Sequence, residues 1–441
     1  MSFHFIYDAR MKKILYQLAI IILLAACQEE TEAPTLPSSF ELTIPEILEI
    51  GLYSAQAEAQ ITFSEVEEVK NVDFGLVWST SPGAIPSDSV RQSWSTRGAG
   101  IISRSPFPIY DVLLGLDLNT TYYIRPYFVD EKNNLTYGPE TTFTTLAGNA
   151  WSPVGNNFPG NAGQWPVGFA IGEAIYVGLS LVSEGGNLSV TREWWQFDVA
   201  TRQWTQKADF PGDLSIDPQA FSVDDKGYIV SSVSEQQVAC WEYDPQQDRW
   251  TRKTDFPDYG REGNAAFSFG VNGKGYLSGG YGGGYSLQSV WEFDPQDATT
   301  GVDEHGNPMG SWTQKNNFPG REHRNAAVFI INDQVYIGLD AETVVGADSL
   351  ETKKQLWRYD TPNDAWIAEG FFPGEPRELT IAFSANGKGY MGGGRDHTDF
   401  WEYDPVIKEW TPRAEASGGD ISFSVNNRGY TFSYGMLEYV P

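Results

Sequence analysis

The sequence predicts an all-β protein in two parts, a small β-sandwich followed by a ring of six blades. Three observations lead there. The 441 residues are 14% aromatic and include 45 Gly and 25 Pro, a composition that favours short strands joined by tight turns. Apolar residues alternate in short runs broken by Gly, Pro, Asn and Ser, the period of half-buried strands. From residue 151 onward a Phe is followed seven residues later by a Tyr, at Phe169/Tyr176, Phe221/Tyr228, Phe269/Tyr276, Phe329/Tyr336, Phe383/Tyr390 and Phe423/Tyr430. Self-similarity at such a period marks a repeat architecture.

The first segment is a leader. Met11-Lys12-Lys13 is a charged start, Ile14 to Leu24 is almost wholly apolar, and Leu24-Ala25-Ala26-Cys27 follows. A bilayer-spanning helix needs about 20 apolar residues, so a run this short reads as a secretory signal. The Leu-Ala-Ala-Cys run resembles a bacterial lipobox, which implies cleavage after Ala26 and a lipid on Cys27. Residues 1–26 are then the signal peptide and 27–39, polar with two Pro, the anchor and tether. The early acidic pair Glu29-Glu30 is similar to surface-export signals of lipoproteins in Bacteroidota, which implies the outer membrane and its cell-surface face. Cleavage leaves Cys240 as the sole thiol, so no intramolecular disulfide is expected to support the fold.

Residues 40–146 read as one sandwich. Phe74-Gly75-Leu76-Val77-Trp78 and Tyr122-Tyr123-Ile124-Arg125-Pro126-Tyr127-Phe128 are typical of its strands. Leu116, six residues before Tyr122, and the ending Tyr137-Gly138-Pro139-Glu140-Thr141-Thr142-Phe143 resemble fibronectin type III modules. The resemblance implies a Leu/Tyr corner at Leu116 and Tyr122, and a spacer role.

Residues 151–441 carry the repeat. Each Phe/Tyr pair precedes an aromatic–acid strand and then a Trp: Trp195-Gln196-Phe197-Asp198 with Trp204, Trp241-Glu242-Tyr243-Asp244 with Trp250, and Trp291-Glu292-Phe293-Asp294 with Trp312. Trp357-Arg358-Tyr359-Asp360 with Trp366 and Trp401-Glu402-Tyr403-Asp404 with Trp410 follow. The sixth copy, Leu437-Glu438-Tyr439, lacks its Trp, and Trp151 stands unused at the other end. The first strand should therefore complete the last blade and leave no free edge. Gly279-Gly280 and Gly392-Gly393-Gly394 before these strands resemble kelch repeats. Together the resemblances imply a fibronectin type III-like sandwich and a six-bladed kelch-type β-propeller closed by N- and C-terminal strands in one blade. The Gly doublet is absent after Tyr176, Tyr228 and Tyr336.

Residues recurring once per blade are expected to pack blade against blade, and Asp198, Asp244, Asp294, Asp360 and Asp404 to accept turn amides. A sharper cluster is Arg-Glu at the entry to three first strands: Arg261-Glu262, Arg321-Glu322 and Arg377-Glu378, with His323 and Arg324 beside the second. Forked guanidinium donors at one rim suit carboxylate or sulfate groups. The kelch resemblance implies an acidic-ligand role for Arg261, Arg321 and Arg377; the competing role is pinning adjacent blades through a neighbouring Glu. Trp165, Asp217 and Asp420 hold the corresponding places in the other three blades. Ligand-binding candidates are thus Arg261, Arg321, Arg324, Arg377, Trp165, His323 and Tyr281.

Other chemistries find less support. A formal charge of −28 repels phosphate backbones and argues against nucleic acid. No His-Glu-x-x-His or paired-Cys spacing suggests a metal. Galactose oxidase shares the kelch ring, but its copper needs Tyr, His and a Cys–Tyr thioether that no motif here supplies, so no cofactor is expected. The segment 296–311, with Asp297, Asp303, Glu304 and Asn307, reads as a solvated hairpin tip before a calcium loop. The expected function is a lipid-anchored surface protein, touching the membrane through its anchor alone, whose ring rim binds an extracellular glycan or protein, foremost an acidic glycan or peptide. The alternative is an enzyme: kelch propellers include a sialic acid mutarotase, which implies acid–base roles for Glu322 and His323, with Glu262 and Glu378 as further candidates.

Overall fold

The computed structural model describes residues 40–64, 72–85, 94–95, 105–130, 132–155, 157–184, 187–214, 218–234, 237–258, 262–282, 285–286, 288–320, 326–338, 354–377, 379–416 and 419–441. Every regular element among them is a strand. The leader, Cys27 and the tether lie outside the described residues.

Two antiparallel sheets come first. One holds Phe40–Leu42, Glu46–Ile50, Ser54–Phe63 and Phe107–Leu114; the other holds Asp73–Ser79, Trp94–Ser95, Thr121–Val129, Leu135–Tyr137 and Thr141–Thr144. Strict alternation decides which face is buried. Ala55, Ala57, Ala59 and Ile61 turn inward, and Gln56, Glu58 and Gln60 do not. The inward set packs against Phe74, Leu76, Ile124 and Phe128 of the second sheet, burying one face of each. At the Leu116/Tyr122 corner the Tyr122 hydroxyl accepts the Asp117 N–H at 2.9 Å, and Leu116 is buried.

Six further antiparallel sheets follow the six copies of the repeat. Their strands, in chain order within each sheet, are as follows. Sheet 1 has Val167–Ile171, Ala174–Gly178, Trp194–Asp198 and Gln203–Lys207, and sheet 2 has Gln219–Val223, Lys226–Ser234, Gln237–Asp244 and Arg249–Arg252. Sheet 3 has Glu262–Val271, Lys274–Gly282, Val290–Asp294 and Ser311–Lys315, with the short Tyr285–Ser286 added; sheet 4 has Ala327–Ile331, Gln334–Gly338, Gln355–Asp360 and Ala365–Phe371. Sheet 5 has Ile381–Ala385, Lys388–Gly392, Phe400–Asp404 and Glu409–Arg413. Sheet 6 joins Ile421–Val425, Arg428–Phe432 and Met436–Val440 to Ala150–Pro153. First strands neighbour one another in order from sheet 1 to sheet 6, and that of sheet 6 lies beside that of sheet 1. The arrangement is consistent with a β-propeller.

The recurring aromatics do what a repeat requires. Each Phe faces its Tyr across the first two strands, as in Phe169↔Tyr176 and Phe383↔Tyr390. The Phe ring also fills the space over the next sheet's backbone, where a glycine precedes the next Tyr. A Cβ on Gly227 would sit 1.9 Å from Phe169 Cζ, and one on Gly429 2.1 Å from Phe383 Cζ. Gly275 and Gly389 make the same room for Phe221 and Phe329. Where the position is Ile175 or Val335, the incoming Phe423 or Phe269 packs on that side chain instead. The five acids bind turn amides: Asp198 accepts the Thr201 N–H at 2.7 Å, Asp244 that of Gln246 at 2.8 Å and Asp404 that of Val406 at 2.8 Å. Asp294 and Asp360 do the same for Gln296 and Asn363.

A further device links neighbouring sheets. The Tyr243 hydroxyl donates to Asp248, which also accepts the Ala208 N–H from the end of sheet 1, and Trp250 Nε1 donates to the Ala208 carbonyl. Tyr359, Asp364, Trp366 and Asn316 repeat the set between sheets 3 and 4. At the seam the set recurs with chain-distant residues: Tyr439 donates to Asn149 Oδ1 at 2.8 Å, and Asn149 Oδ1 accepts the Ala414 N–H at 2.9 Å. Asp248, Asp364 and Asn149 share a left-handed backbone, φ 48°, 48° and 51°, a conformation Asn and Asp tolerate best among residues with a Cβ.

Most of the segment 296–311 is exposed, as a solvated tip should be, but it is not free of the body. Its own acids close it, Asp303 accepting the Asn307 N–H at 2.8 Å and Asp297 the Ser311 hydroxyl at 2.6 Å. It then folds back on sheet 2, where Lys253 Nζ reaches the Pro308 carbonyl at 2.9 Å and the Thr254 N–H reaches Met309 O at 3.0 Å. The partners lie in another sheet, so spacing within the loop carries no sign of them.

Candidate functional site

Strand order assigns every connection to one of two ends. In each sheet the entry to the first strand and the link between second and third strands lie at one end. The turns between first and second, and between third and fourth, lie at the other. Like positions of adjacent first strands stand level: the Ser422 hydroxyl bonds the Ala382 carbonyl at 2.7 Å and that of Ser268 the Ala220 carbonyl at 2.8 Å. The six entries therefore face the same way.

The sandwich is attached at the opposite end. Arg428, which opens the second strand of sheet 6, donates to the Tyr53 hydroxyl at 2.7 Å, and the Arg202 guanidinium lies 4.1 Å over the Tyr53 ring. Both arginines pair with Glu438, which is 1% exposed and also accepts the Tyr430 hydroxyl. Leu52 packs with Ala150 and Val440 beside them. By strand order the described first-strand entries and second-to-third links lie at the end away from the sandwich, Trp165 and Asp420 among them.

Arg377 does not present a free guanidinium. It is 4% exposed and forms a two-pronged ion pair with Asp399, adding a 2.7 Å bond to the Glu375 carbonyl. Burial works to raise the Asp399 pKa, but the hydrogen bonds from Arg377 and Trp401 outweigh it and hold the carboxyl below its ordinary value. The expectation of an open rim position gives way to a pin between the linker and the third strand of sheet 5. The partner is Asp399, 22 residues on. The pin has relatives. Trp195 Nε1 donates to Glu193 and Trp291 Nε1 to Asp258, as Trp401 Nε1 does to Asp399. Phe-Pro-Gly before the strand leaves room for the acid at Gly160 and Gly374, and Phe256-Pro257-Asp258 supplies the acid itself.

Arg261, Arg321, Glu322, His323, Arg324 and Glu378 lie outside the described residues, as does Asp217. Glu262 and Tyr281 are placed by backbone alone, opposite one another in the first two strands of sheet 3.

Trp165 is exposed, at 39%, and left-handed with φ 51°, an outlier for a bulky residue. Its neighbour holds it there, since Gln164 and Leu181 exchange backbone hydrogen bonds of 2.9 and 2.8 Å. Asp420 occupies the entry of sheet 6, where the Ser433 hydroxyl donates to its Oδ2 at 2.8 Å. Burial pushes the Asp420 carboxyl above its usual range against the opposing Ser433 bond. Tyr434, 62% exposed, adjoins Ser433; sequence reasoning missed it because it lies outside the Phe/Tyr repeat.

Comparison with known proteins adds little. No family model and no curated protein matches the chain. The solved structure of YjhT aligns over 65% of this chain and 95% of its own, at 14% identity and TM-score 0.47. Function must be read from the chain's own residues.

Proposed function

We propose that the chain is a lipid-anchored cell-surface binding protein. A fibronectin type III-like sandwich carries a six-bladed kelch-type propeller, and the propeller's open mouth takes an extracellular ligand bearing acidic groups, foremost a glycan. One observation supports the reading: the sandwich meets the six sheets through Tyr53, Arg428, Arg202 and Glu438 at one end, and strand order puts the described first-strand entries at the other. An anchor at Cys27, upstream of the sandwich, would then leave the mouth facing outward. With Arg377 engaged internally, the charged contacts fall to Arg261, Arg321 and Arg324.

The test is a thermal-shift screen of residues 28–441 against sulfated, carboxylated and neutral saccharides. At 100 times Kd a ligand adds about 2.7 kcal/mol of stability. An acidic saccharide should raise Tm by several degrees, and Arg261→Ala with Arg321→Ala should abolish the rise. Acidic saccharides that leave Tm unmoved, or a rise that survives both substitutions, would refute the reading.

A further inference from the structure

We propose that the mouth has a second kind of contact, a subsite for an uncharged sugar ring at the join of sheets 6 and 1, formed by Trp165, Asp420 and Tyr434. The inference rests on the reading of the mouth as the binding end, and it names hydroxyl-bearing pyranose rings as the chemistry.

Level register brings the first two residues together. The first strands of sheets 1 and 6 lie side by side, and with like positions level Phe423 matches Phe169. Asp420, three residues before Phe423, then stands level with Pro166, and Trp165 is the residue before Pro166. The Ser433 hydroxyl ties Asp420 to the turn that carries Tyr434. That turn is also the reason for an opening. Only Ser433, Tyr434 and Gly435 join the second and third strands of sheet 6, where sheet 1 spends residues 179–193 and sheet 5 residues 393–399. By chain length the wall is lower there than at the neighbouring sheets 1 and 5.

The chemistry of the three side chains is mutually consistent. An indole and a phenol with exposed faces offer apolar stacking surface, and the axial C–H face of a pyranose is the complementary surface. The Asp420 carboxyl has one oxygen engaged by Ser433 and its side chain has no other hydrogen bond among the described residues, leaving Oδ1 to accept from a sugar hydroxyl. The left-handed Trp165 fits a functional position, because strain of this kind persists where the surroundings impose it. None of the three side chains is a cation, so ligand charge is not required here.

Tryptophan fluorescence and thermal shift with cellotriose, maltotriose, xylotriose and chitotriose at millimolar concentration test the proposal on residues 28–441. At least one trisaccharide should shift both signals. Trp165→Gly should weaken its binding about tenfold or more without lowering Tm, since glycine suits φ 51°. Asp420→Asn should weaken it by a similar factor. Arg261→Ala with Arg321→Ala should leave it unchanged, which separates this subsite from the acidic one. Silence from all four sugars, or binding that survives Trp165→Gly and Asp420→Asn, would overturn the proposal. Neutral binding lost only in the arginine variant would overturn it too, while sparing the wider reading.

Discussion

Gly227 and Asp111 show opposite ways in which one residue sets stability. Gly227 has no side chain because Phe169 of the preceding sheet occupies the place of its Cβ. Gly227→Ala should cost about 1–3 kcal/mol by overpacking. Gly435→Ala, with open space around it, should cost much less, and urea denaturation of the pair separates crowding from backbone entropy. Asp111 is 5% exposed in the sandwich, with Oδ2 lacking any hydrogen-bond partner among the described residues. Burial raises its pKa, against the lowering effect of its bond to the Val112 N–H. A carboxyl raised on folding contributes stability that is present below its unfolded pKa and lost as pH rises through the folded value. Asp111→Asn should therefore raise Tm at neutral pH, and the gain should vanish below about pH 4. A gain that does not change with pH would point to packing instead. These roles were only half visible in sequence: the glycine before each Tyr stood in the repeat, but the ring filling its space comes from another sheet.

At the level of the element, hairpins were legible and their cross-connections were not. Acid–turn pairs such as Asp244 with Gln246 are local, so the residue pattern suffices to place them. The seam was legible by analogy, since Trp151 stood where each sheet's last Trp stands. Asn149 was not, because its partners Tyr439 and Ala414 lie at the far end of the chain. Asn149→Ala removes the acceptor for both groups and should cost about 1–3 kcal/mol. In a chemical denaturation series the loss should exceed that of Tyr439→Phe, which leaves the Ala414 bond intact. Equal losses would mean that Asn149 serves the tyrosine alone. The 296–311 segment, folded on Lys253 and Thr254, escaped the sequence for the same reason as Asn149.

Across the whole molecule, Glu438 couples the sandwich to the six sheets. Removing a buried carboxylate that holds two arginines and Tyr430 leaves its partners uncompensated, and Glu438→Ala should cost about 3 kcal/mol. Calorimetry of the intact chain should show the transition of the six sheets moving to lower temperature. An unchanged melting profile would mean that apolar contact at Leu52, Ala150 and Val440 suffices. By itself the sequence determined the strands, the sixfold repeat, the completion of the last sheet by the first strand and the turn chemistry. All of these follow from alternation and from residues near one another in the chain. Tertiary structure alone decided which end the sandwich takes, that Arg377 is spent on Asp399, and that Trp165 is held left-handed beside the entry of Asp420. These depend on which side chains meet across sheets, and pair energies between chain-distant groups leave no periodic mark in the sequence.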